Sequence, residues 1–146
     1  MQQFNDLVDQ KKPYENLPLL IRVDGEFEMV HFRSVPGQKK PYKPLVEVAK
    51  VQPEFKHQNI KGSLIGYRFP KYFAAMNLPG YHIHFVDDKR TCGGHVLGFK
   101  LISGKVSIAE SSDFHLHLPS HSESFRKCDF EVDRSKETHF IEGGSQ

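Results

Sequence analysis

Two histidines one residue apart, His82 and His84, sit in the run Tyr81-His-Ile-His-Phe85, and a third follows in Gly93-Gly-His95. On a β-strand, side chains alternate between faces, so His82 and His84 share one face and Ile83 points to the other. A turn that folds the chain back antiparallel brings His95 toward the pair. Three neutral imidazoles meeting at one point with a coordination position left open form the ligand set of a catalytic zinc site. The expected chemistry is therefore metal-assisted, with Zn2+ the first expectation and other divalent ions behind it, since affinity order alone does not fix the metal. A second pair, His115-Leu-His117, repeats the local spacing and competes for the same role. His31, His57, His121 and His139 are scattered and read as surface residues, although His31 would share a strand face with Arg33.

A metal centre also needs a group that holds an anionic substrate and a group that moves protons. Arg33 suits the first task, because a guanidinium keeps its charge and grips a carboxylate with two parallel hydrogen bonds. Cys92 is close in sequence and could add a soft ligand, but histidine-rich catalytic sites seldom need one. With Cys128 it makes no disulfide framework, so both read as free thiols in a reducing cytoplasm.

The elements that must position these residues are short. Residues 1–12 carry Phe4, Leu7 and Val8 at helical spacing. Leu19–Val23 reads as a strand, Asp24-Gly25 as a hairpin turn and Phe27–Val35 as the returning strand. Residues 36–44, with three prolines, read as a loop, and Leu45–Ala49 fits helix or strand. A loosely alternating stretch at 54–60 is broken by Gly62, and Ser63–Phe69 reads as a further strand. Residues 70–77 read as a short helix, Pro79-Gly80 as a turn into the histidine strand, and Asp87–Cys92 as a polar turn. Gly94–Ile102 reads as a strand and Ser103-Gly-Lys105 as a turn, after which Val106, Ile108 and Phe114–Leu118 continue the sheet. Residues 134–142 close with a helical turn or two. Short strands with a few helices predict an α+β fold, with a largely antiparallel or mixed sheet and a few short helices.

The 146 residues suit one domain, spanning 1–146. A net charge of +2, with no basic run beyond Gln38-Lys-Lys40, excludes a nucleic-acid footprint. No stretch is apolar for the length of a membrane span, and the N-terminus lacks the layout of a signal peptide, so a cytoplasmic protein is expected.

Longer runs carry a resemblance. Ile21-Arg-Val-Asp-Gly25, Phe32-Arg-Ser-Val-Pro36 and Lys40-Pro-Tyr-Lys-Pro-Leu-Val-Glu47 resemble the α-acetolactate decarboxylases. So do Pro79-Gly-Tyr-His-Ile-His-Phe85, Asp88, Arg90 and Gly93-Gly-His-Val-Leu97. Leu116-His-Leu-Pro119 and the segment from Arg134 to Gly143 are similar more loosely. The resemblance implies a Zn2+ ion held by His82, His84 and His95, and conversion of 2-acetolactate, a 2-hydroxy-3-keto acid, to acetoin and CO2. It implies that Arg33 holds the substrate carboxylate and that a glutamate near the C-terminus reaches into the site. Glu142 is the best match for that glutamate, with Glu137 a weaker one. It also implies a homo-oligomer, most simply a dimer. Asp87 and Asp88 are near enough in sequence to accept the second ring N–H of a ligand histidine.

Roughly the first third of a typical member, including a further site glutamate, has no counterpart here. Position 98 is Gly where members commonly carry an acidic residue, and Cys92 replaces a small residue. Two alternatives follow: a zinc-binding homologue or partner subunit without turnover, and a zinc-dependent ester hydrolase.

Overall fold

The computed structural model describes residues 1–11 and 16–142. The chain forms α1 (Gln2–Lys11), β1 (Leu19–Arg33), α2 (Leu45–Ala49), β2 (Glu54–Phe69), a 3-10 helix (Lys71–Ala75), β3 (Gly80–Asp87), β4 (Gly93–Glu110), α3 (Glu123–Arg126) and α4 (Ser135–Glu142). The four strands close on themselves in the order β1-β2-β3-β4, and every neighbouring pair is antiparallel. The α+β class with an antiparallel sheet and short helices is the one expected.

Alternation explains the barrel's filling. Leu19, Ile21, Val23 and Phe27 of β1 point inward and are essentially inaccessible, as are Leu64 of β2 and Ile83 of β3. Phe27 meets Phe85 and Phe99 edge-to-face at centroid separations of 5.7 and 6.1 Å, a favoured geometry for aromatic pairs. Helix α1 adds Phe4 and Val8 to the same core. It is held to the barrel by the Tyr81 hydroxyl, which donates to Asp9 at 2.8 Å, with the Arg68 guanidinium 3.4 Å from the same carboxylate oxygen.

Two expected turns and the expected break at Gly62 are absent, because β1, β2 and β4 are each single long strands. Gly25, Gly62 and Gly104 lie in one row across them, Gly25 being paired with both others. A Cβ on Gly25 would sit 2.3 Å from the Ser103 carbonyl oxygen, so the glycine permits close approach of two backbones within a strand. The expected strand at 114–118 is also absent: the segment is irregular and its residues are exposed. A closed barrel offers no free edge for a further strand to join. Leu45–Ala49 resolves as helix, and the helices at the two chain ends form as expected.

Candidate metal centre

The centre is built on the outer face of the barrel. Ile83 and Phe85 fill the interior, so His82 and His84 project outward from β3. Strand register sets the third ligand: His84 is directly opposite His95 on β4, and His95 is directly opposite Arg33 on β1. Arg33, His95 and His84 therefore form one row across three strands, with His82 one step along β3.

The imidazoles converge. Their centroids are 4.9 to 5.5 Å apart, one ring nitrogen from each lies within 4.8 Å of the others, and the Nε2 atoms of His82 and His84 are 3.1 Å apart. Nitrogens about 2.0–2.1 Å from a tetrahedral zinc stand about 3.3 Å from one another, so this donor set fits the ion with small side-chain adjustments. Burial also favours ligation. The His95 pKa is pushed down to about 4 by desolvation first, then by the neighbouring charges of His82, Arg33 and His84. The His84 pKa is lowered by desolvation and by His82, against an opposing pull from Glu142. Both rings are thus held neutral at pH 7, the form that binds a metal.

Helix α4 delivers the carboxylate. Glu142 Oε2 is 3.4 Å from His82 Nε2 and 4.0 Å from His95 Nδ1. Glu137, one helix turn earlier, is instead ion-paired with Arg134 at 3.5 Å. Arg33 Nη2 donates to the carbonyl of Ile141, next to Glu142, leaving its remaining N–H groups for other acceptors. Helix α4 also packs against α2.

The other sequence candidates lie elsewhere. His115 and His117 are on the exposed irregular segment and do not join the cluster. Cys92 packs against the core. Asp87 accepts from the backbone N–H groups of Thr91 (2.6 Å) and Cys92 (2.8 Å) and from the Thr91 hydroxyl (2.9 Å), so it ties the β3–β4 turn rather than a histidine. Those bonds, the Cys92 N–H foremost, hold its carboxyl below the ordinary range. His31 bonds Glu54 at 2.8 Å.

A cleft of about 860 Å³ opens beside the cluster, with His82 and Glu142 among its lining residues. Residues 74–79 form one wall, and Ser135, Lys136, Thr138 and His139 of α4 form the other. No local pattern signals this wall pairing, because it depends on α4 folding back over the barrel. His139, read as a surface residue, is part of it.

Known proteins resemble this chain in sequence and in fold. The family model described as alpha-acetolactate decarboxylase matches residues 1–132, and the chain belongs to that family. The chain is 38% identical over 120 residues to the alpha-acetolactate decarboxylase of Methanosarcina mazei, covering 82% of this chain and 42% of that protein. It is 36% identical over 140 residues to that of Brevibacillus brevis, covering 96% and 49%. The crystal structure of alpha-acetolactate decarboxylase from Bacillus subtilis superposes with a TM-score of 0.89 at 34% identity, covering 99% of this chain and 61% of that one. The chain thus spans about half the length of the curated relatives it matches.

Proposed function

We propose that this chain, as a member of the alpha-acetolactate decarboxylase family, carries the reaction centre of a carboxy-lyase that converts 2-acetolactate to acetoin and CO2. His82, His84 and His95 would hold Zn2+, which when bound supplies a Lewis acid to the substrate oxygens. Arg33 orients the substrate carboxylate beside His95. The bond between that carboxyl group and the substrate carbon breaks, and CO2 leaves. The electron pair stays on the substrate until a proton arrives at carbon. Glu142, whose Oε2 is 3.4 Å from His82 Nε2, would take a proton from solvent and pass it to that carbon, and delivery from one side gives a chiral product.

One observation carries the reading: three imidazoles and one carboxylate converge at a cleft in a chain of this family. The test is acetoin formation from racemic 2-acetolactate by zinc-loaded protein. Turnover is expected, with Glu142→Gln reducing it about 100-fold or more while zinc occupancy is retained. Stoichiometric zinc with no acetoin above background overturns the proposal. That result would favour the second reading, a zinc-binding homologue or partner subunit without turnover.

A further inference from the structure

The two walls of the cleft differ in kind. Residues 74–79 are apolar except for Asn77, whereas the α4 wall presents two hydroxyls, His139, the Glu142 carboxylate that faces the histidines, and the ammonium of Lys136. Lys136 has no ion-pair partner among the described residues, and the nearby Glu137 is engaged by Arg134. Arg33 is not among the lining residues of the cleft, and one of its nitrogens is bonded to the Ile141 carbonyl. Lys136 is thus a cationic side chain on the cleft lining, whereas the Arg33 guanidinium is not on it.

We propose that Lys136 is the specificity residue that draws a small 2-hydroxy carboxylate into the cleft, leaving Arg33 to orient the carboxylate beside His95. The inference deepens the proposed function and rests on its carboxylate substrate. An ammonium on a flexible stem acts as a point charge, which suits recruitment, whereas the guanidinium fork suits anchoring. For a solvent-exposed charge the attraction amounts to about a fivefold gain in affinity at low salt. It is screened away as the Debye length shrinks to about 3 Å near 1 M.

The test measures binding of 2-hydroxy-2-methylpropanoate to the zinc-loaded chain by calorimetry, with 2-hydroxy-2-methylpropanamide as the neutral control. Lys136→Ala is expected to weaken carboxylate binding about fivefold at 20 mM salt, Lys136→Glu about 25-fold, and Lys136→Arg hardly at all. The amide should bind all four proteins alike, and 1 M salt should erase the differences. In turnover, kcat/KM should fall by the same factors with kcat unchanged. Carboxylate affinity unchanged in Lys136→Ala, equal losses for acid and amide, or no carboxylate binding by the wild-type chain would each overturn the proposal. A salt-sensitive loss of carboxylate binding in a protein that makes no acetoin would uphold Lys136 and overturn the decarboxylase reading alone.

Discussion

His95 should make the metal-free protein acid-labile in a defined window. Its side chain is 11% exposed, and its pKa falls from 6.5 to about 4 on folding. Between these values the unfolded chain binds a proton that the folded chain refuses, so stability falls as pH drops through the window and levels off below about 4. The full shift corresponds to about 3 kcal/mol, of which about 2 kcal/mol is lost by pH 5. The assay is urea unfolding of the metal-free chain at pH 7, 6 and 5, beside His95→Gln, whose amide does not titrate. The wild-type advantage over His95→Gln should shrink by about 2 kcal/mol from pH 7 to pH 5. Saturating zinc at 100 times Kd should add about 2.7 kcal/mol at pH 7. Parallel pH curves for the two proteins would refute the reasoning, because His95 would then titrate alike folded and unfolded.

Removing one ligand should matter more than any neighbour: His84→Ala is expected to lower zinc affinity about 100-fold or more, read as metal content after dialysis, and full occupancy would remove His84 from the centre. Arg33→Lys should lower kcat while leaving zinc content unchanged, since a point charge cannot reproduce the guanidinium fork, and an unaltered rate in an active preparation would take Arg33 out of the site. In the core, Phe27→Ala should cost about 3–5 kcal/mol in denaturant unfolding, because Phe27 is inaccessible and contacts both Phe85 and Phe99. A loss under 1 kcal/mol would mean that the barrel collapses around the vacancy.

The histidine pair was legible because period-two alternation is a local rule, and the resemblance to the family pointed to Arg33 and to His95 as the third ligand, while leaving both Glu142 and Glu137 open. What misled was the glycines. Asp24-Gly25 and Ser103-Gly-Lys105 carry turn chemistry, and Gly62 interrupts an alternating run. All three glycines nevertheless lie mid-strand in one row, where small size serves contact between strands. That use of glycine is a tertiary requirement, invisible in any single window. The same holds for Phe114, Leu116 and Leu118, whose alternation implies a strand but which find no edge on a closed barrel. The placement of α4 over the histidines, which decides between Glu142 and Glu137, likewise depends on contacts more than a hundred residues apart, such as Arg33 with Ile141.

Strand irregularity is as necessary to the centre as its ligands. On β1 the inward positions run Leu19, Ile21, Val23 and Phe27, then change phase to Val30 and Phe32. Uninterrupted alternation from Phe27 would aim residue 33 into the core. The change occurs at Glu28, which is skipped in the pairing with both β2 and β4, and opposite it Asn59 of β2 adopts a φ of 52°. Asparagine tolerates that left-handed conformation better than most residues. On β4, Phe99 and Val96 point inward, and the register shift opposite His31 and Phe32 leaves Leu97 unpaired with β1. Without it, alternation from Phe99 would carry His95 inward. Each irregularity is a β-bulge in effect, turning one polar side chain from the interior to the surface. Strand β3 needs none, since His82 and His84 already alternate with Ile83 and Phe85. The outer-face row of Arg33, His95 and His84 therefore exists because two strands break their own periodicity while the third keeps it.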